Sequence, residues 1–207
     1  MRGELNEART RRQASFDFMV TNISSVQNWQ RNQHYCTGLP LLAEGELALA
    51  RQHLEKGLSL VGWPTEWGSM GSDLDMYAML CEISGAQRDA IALQGYAART
   101  EALAAECDHR LYAGIAERGW GIALRLGSNL AESEARLRSA LEIFQSLGTR
   151  WQLGRTHAEL GETAHMAGDT GVARTHFAAA LDLFEQANAA PDAARMQKAL
   201  DQLSSTD

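Results

Sequence analysis

At 207 residues, 45% of them apolar and only 3 of them proline, the chain can bury a sizeable core and is poor in helix breakers. A formal net charge of −7 argues against a nucleic-acid groove, which needs clustered basic side chains. The polar start MRGELNEARTRRQ lacks the apolar stretch of a signal peptide, and no apolar run reaches the roughly 18 residues of a membrane span.

Taken in order, residues 3–19 read as one amphipathic helix, the second half of a helical pair whose first helix is absent. Arg9, Arg11 and Arg12 face Glu4 and Glu7 at i,i+4-like spacing on its solvated side. Residues 20–62 form the first full pair. Its opening helix, Val20 to Glu44, buries a stripe of Phe18, Ile23, Val26 and Trp29, and Pro40 should kink or divide it. Its partner covers 46–61. Gly62 to Gly71 is the longest irregular piece, and its Trp63 and Trp67 plug a gap between pairs or line an aromatic ligand site. Further pairs take 72–107, 109–147 and 150–188. Pro191 opens a last helix, 190–203, with Met196, Leu200 and Leu203 on one side to cap the array, and 204–207 is a tail.

The turns set a period. Gly3, Gly45, Gly85, Gly127 and Gly168 each punctuate a helix end, at intervals of 42, 40, 42 and 41 residues. A small residue follows each turn: Ala8, Ala50, Ala90, Ser133 and Ala173. Leu54, Leu137 and Phe177 are followed three residues later by Gly57, Ala140 and Ala180, and Gly38, Ala78, Gly121 and Gly161 stand before the turns. Small residues recurring at one place mark close helix crossings, where added bulk would cost about 1–3 kcal/mol per site. A hairpin of this size cannot bury its apolar face alone, so it must stack on copies of itself.

This pattern resembles the tetratricopeptide repeat family. The likeness is closest in Leu160-Gly161, Ala164, Gly168-Asp169, Ala173, Phe177 and Ala180-Leu181, and good in Gly38, Leu41, Gly45-Glu46-Leu47, Ala50, Leu54 and Gly57-Leu58. The period is longer than the family's usual value of about 34. In Ala50 to Gly62 and Glu117 to Gly127 this longer form looks like the C-terminal helical arrays of bacterial signalling ATPases, cyclases and transcription regulators. The resemblance implies an all-α, right-handed superhelical solenoid of antiparallel helix pairs. It would hold about four and a half repeats plus a C-terminal capping helix. It further implies a non-catalytic, cofactor-free scaffold or sensor for a protein or peptide, or a stand-alone peptide-responsive regulator.

Catalytic signatures do not accumulate. No GxxxxGK[ST] phosphate loop occurs, so the nucleotide switch of such regulators is not in this chain. Trp67-Gly68-Ser69-Met70-Gly71 approaches GxSxG but places Trp where the sharp turn needs Gly. His157 and His165 are eight apart, not four, and bring no third metal ligand. Cys107-Asp108-His109 reads as a helix end. With Cys36 and Cys81 this cysteine forms no CxxC, so reduced thiols in a cytoplasmic protein are expected.

Binding remains. In such arrays the first helix of each pair lines the concave face. The residues taken to point away from the glycine-lined contact are Asn32, Tyr35 and Leu39, then Asp75, Met76, Met79 and Glu82. The third pair offers Arg118, Ile122 and Arg125, and the fourth Arg155, Glu159, Glu162 and His165. A central arginine pair, flanking acids and apolar residues suit an extended or helical peptide; the bland alternative is a solvated face of paired charges. No Lys/Asn set for a peptide carboxylate stands in the groove. The incomplete first repeat leaves one helix side uncovered, to be closed by a longer polypeptide or by self-association.

Overall fold

The computed structural model describes Thr10, Arg11, Gln13, Ala14, residues 27–60 and residues 73–204. The expected half repeat, apart from those four exposed helical residues, lies outside this set. So do Phe18, Ile23, Val26, the side chain of Trp29 and the Trp63/Trp67 connection. Among the described residues all regular structure is helical: α1 (Gln27–Glu44), α2 (Leu47–Ser59), α3 (Asp73–Ala86), α4 (Ala90–Glu106), α5 (Arg110–Leu126), α6 (Leu130–Leu147), α7 (Arg150–Met166), α8 (Thr170–Gln186) and α9 (Ala190–Ser204). The fold is an all-α helical repeat. None of these helices is long and apolar enough to cross a membrane.

Two compact units divide the chain, residues 1–87 and 88–207. In the first, α1 and α2 pair and α3 packs on both. Helix α1 is not divided: it runs through Pro40 to Glu44. In the second unit each helix from α4 to α9 packs on the next, and α5 also touches α7.

The turns explain the period. Left-handed backbone falls at Arg88, Asp108, Ser128, Gly148, Gly168 and Asn188, one every 20 residues. In each turn from Asp108 onward the next N–H reaches back to a carbonyl five residues earlier, as in Asn129 to Leu124 at 2.9 Å and Asp169 to Ala164 at 2.9 Å. Such a bond closes the helix end by satisfying an orphan carbonyl. The next helix then starts at once. The carboxylates of Asp89 and Asp169 accept the N–H groups of Ala92 and Val172 at 3.1 and 2.9 Å. The repeat is therefore a strict 40 in this unit. The 40–42 of the sequence reading arose because Gly85 and Gly127 precede the left-handed residue instead of supplying it.

Close crossings are where the small residues predicted them. A Cβ on Gly161 would stand 2.5 Å from the Phe177 ring, and one on Gly121 2.5 Å from Leu137 Cγ. Gly114 and Gly154 are nearly as tight, a Cβ there standing 2.7 Å from Phe144 and 2.9 Å from Phe184. Ala50, Ala140, Ala173 and Ala180 are fully buried, and buried Ser133 donates its hydroxyl to the Gly121 carbonyl at 2.7 Å. Met196 and Leu203 of α9 close the last apolar cluster over Phe177 and Phe184, which is the capping role expected of that helix.

Candidate functional site

In the second unit the inner layer is α5 beside α7. Arg118, only 1% exposed, donates from Nη1 to Gln152 Oε1 at 2.6 Å, and its guanidinium carbon lies 5.3 Å from the centre of the Phe144 ring. Arg125, also buried, pairs with Glu159 and, at 3.6 Å, with Glu162. Both arginines thus tie α5 to α7. The expectation that they point away from the glycine-lined contact is corrected here. Gly114, Arg118, Gly121 and Arg125 are spaced 4, 3 and 4 residues apart, which puts all four on one helix face. That spacing was readable in the sequence. Ile122 is buried as well.

Helix α7 presents a different stripe. Trp151, Arg155, Glu159, Glu162 and Met166 follow one another at 4, 4, 3 and 4 residues, turned from the Gly154 and Gly161 contacts with α8. Trp151 and Met166, at its two ends, are 43% and 46% exposed. Arg155 stacks 4.6 Å from the Trp151 ring centre, and Trp151 Nε1 donates to Asp192 of α9 at 3.2 Å. Burial pushes the Arg155 guanidinium down to about 10, against the pull of Glu159 and Asp192. His165 is exposed and lines a cleft of about 270 Å³ with Glu162, Phe177 and Leu203.

In the first unit Met76 and Met79 belong to the core, and Asp75 and Glu82 are half-buried. Half-buried Tyr35 has its phenol pKa raised, first by burial and then by the charge of Asp75. An ion pair of Arg31 with Asp73 joins α1 to α3 beside them.

Another recurrent pair went unread. His34 and His53 meet Nδ1 to Nδ1 at 3.0 Å across the α1–α2 hairpin, and His157 and His176 do the same at 3.0 Å across α7–α8. Each pair is 19 residues apart, as are Glu117 and Arg136, which bond at 3.0 Å in the α5–α6 hairpin. The signal for these contacts is the matched spacing across a turn, which a search along one helix does not see. In each histidine pair one ring must donate its Nδ1 proton and the other accept it.

Burial, then His53 and Lys56, pushes His34 down to about 4; burial, then His176, does the same to His157. His53 is lowered by burial, and His176 by burial and Arg138, with Glu134 opposing. An unfolded imidazole protonates near pH 6.5, so the unfolded chain takes up protons first as the pH drops. The pairs' contribution is complete above about pH 6.5 and is lost as the pH falls towards 4. The melting temperature is therefore expected to drop between about pH 7 and pH 4.5, and to drop less in a His34→Phe, His157→Phe variant. Parallel curves for the two proteins would refute this account.

Comparison with known proteins agrees with the repeat architecture. Residues 112–186 match the family model described as tetratricopeptide repeat. No curated protein matches the sequence. Among solved structures the chain is similar to a Rap protein complexed with Competence and Sporulation Factor: TM-score 0.76, 15% identity, covering 92% of this chain and 52% of that one. The apo form of RapI gives a TM-score of 0.62 at 14% identity, covering 85% of this chain and 63% of that one. BtubC (BKLC) from P. vanneervenii gives 0.58 at 12% identity, with 98% and 91% covered. The chain thus spans about half the length of the first Rap protein.

Proposed function

We propose that this chain is a non-catalytic, cytoplasmic scaffold or sensor module of a bacterial signalling or regulatory protein, and that it binds a protein or peptide on the inner helices. The α7 stripe carries this reading. Trp151 and Met166 offer two apolar anchors, and Arg155, Glu159 and Glu162 lie between them as polar partners. Fifteen residues of helix separate the anchors, about 22 Å at 1.5 Å per residue, which an extended peptide of roughly seven residues spans. Arg118 and Arg125 shape this surface from behind and hold α7 in place.

A crosslinking experiment tests it. Peptides selected from a random display library against the whole chain should crosslink to benzophenone side chains at positions 162 and 166. They should spare positions 135 and 178, which are exposed on α6 and α8. Met166→Glu should weaken the same peptides about 10-fold, a loss of about 1.4 kcal/mol, without moving the melting temperature. Crosslinks confined to 135 and 178 would overturn the reading.

A second reading, a stand-alone peptide-responsive regulator, draws on the likeness to a Rap protein solved with Competence and Sporulation Factor. The mass of the native polypeptide in its source cells separates the two. A band well above 22.7 kDa favours the module and a band at that mass the free-standing regulator.

A further inference from the structure

We propose that His34 with His53, and His157 with His176, are two equivalent ligand pairs for a divalent transition-metal ion, one in the α1–α2 hairpin and one in the α7–α8 hairpin. The observation is the 3.0 Å separation of the two Nδ1 atoms, the same in both hairpins. Such an ion binds imidazole nitrogen at about 2.0–2.1 Å, so two nitrogens held side by side on it stand about 3.0–3.4 Å apart. The ring centres are 5.2 Å apart in each pair, so the nitrogens now face one another nearly head-on. Each ring must turn by about 45° from that line to bring both lone pairs to one point about 2.0–2.1 Å from each nitrogen. The ring that donated its Nδ1 proton gives it up to water and takes one on Nε2 from water. One N–H bond breaks and one forms, both rings end with their proton on Nε2, and no net proton is released.

Access favours the same assignment. All four rings are half-buried. One ring of each pair borders a cavity: His53, but not His34, lines a pocket of about 80 Å³ with Thr37 and Glu44, and His176, but not His157, lines a cleft of about 340 Å³ with Glu134 and Asp169. The carboxylates of Glu44, Glu134 and Asp169 in these linings favour a cation. Lys56 near His34 opposes this, as does Arg138 in the larger cleft, although Glu134 accepts two bonds from Arg138 at 2.9 and 2.6 Å.

Among the described residues no group of three or more His, Cys, Asp and Glu side chains is placed to hold an ion. Each site therefore supplies two nitrogens and leaves the remaining positions to water. That donor set ranks Cu(II) above Ni(II) and Zn(II) and gives Mg(II) nothing it prefers. The bound ion ties the two helices of one hairpin together.

Titration of the full chain with Cu(II) alone at neutral pH, followed by calorimetry and electron paramagnetic resonance, tests the proposal. Two ions should bind per chain, each with two imidazole nitrogens, and raise the melting temperature by about 10–20 °C at 100-fold excess over Kd. His176→Ala should remove one site and His53→Ala the other. Each lost site should weaken by at least the 10–100-fold or so that loss of an outer-shell partner costs. Unchanged stoichiometry in the folded double variant would place the copper elsewhere and overturn the proposal. A wild-type spectrum with fewer than two nitrogens per ion would overturn it without any variant, and so would an absence of binding tighter than millimolar.

Discussion

Arg118→Glu is expected to destabilise the protein by about 3–5 kcal/mol, the range for breaking a buried charged contact and leaving its partners uncompensated. Arg118 is among the largest fully buried side chains in the structure. Its guanidinium meets the Gln152 amide oxygen at 2.6 Å and lies over the Phe144 ring at 5.3 Å. A carboxylate there is shorter, carries the wrong charge for the π face, and offers the Gln152 oxygen no donor. For a chain of this length the loss amounts to a fall of roughly 10 °C in melting temperature. Arg118→Met keeps the aliphatic volume and removes the charge, so it should stay within about 1.5 kcal/mol of wild type. Urea denaturation followed by far-UV circular dichroism compares the two. A folded Arg118→Glu protein with an unchanged midpoint would mean that Arg118 swings out to solvent, and would return it to the partner-binding face.

Architecture was the most legible part of this protein because its determinants are small residues in register. Gly121 and Gly161 can hold no other side chain without moving Leu137 or Phe177, so the helix crossing is written into composition at a fixed interval. The exact period was blurred by turn chemistry. Left-handed Arg88 and Ser128 carry side chains, and a reading keyed to Gly85 and Gly127 places those turns early. The candidate site was harder to read, for a different reason. Which face an arginine takes depends on its offset from the glycines of its own helix, and Arg118 shares their face. The histidine pairs depend on a partner 19 residues away across a turn, which only a three-dimensional register reveals. Trp151 and Met166 gave no signal beyond helical spacing, because their exposure depends on neighbouring helices and not on the sequence of α7.

The same register sets the second large effect. Phe177→Ala is expected to cost about 3–5 kcal/mol, since the ring is 2% exposed and its removal leaves a cavity against Gly161. Gly161→Leu alone should cost about 1–3 kcal/mol, because its Cβ falls 2.5 Å from the Phe177 ring carbons and forces the two helices apart. Combined, the leucine occupies the space the phenylalanine vacated, although its branch leaves a different helix. The double variant should therefore be more stable than Phe177→Ala itself, which requires a favourable coupling larger than the cost of Gly161→Leu alone, about 1–3 kcal/mol. Additivity within about 0.5 kcal/mol would show that the hairpin relaxes around either change, and that the small residue is not what holds α7 and α8 together. A clear coupling would show the reverse: the 40-residue repeat persists because one side of each crossing must stay empty for the other side to fill it.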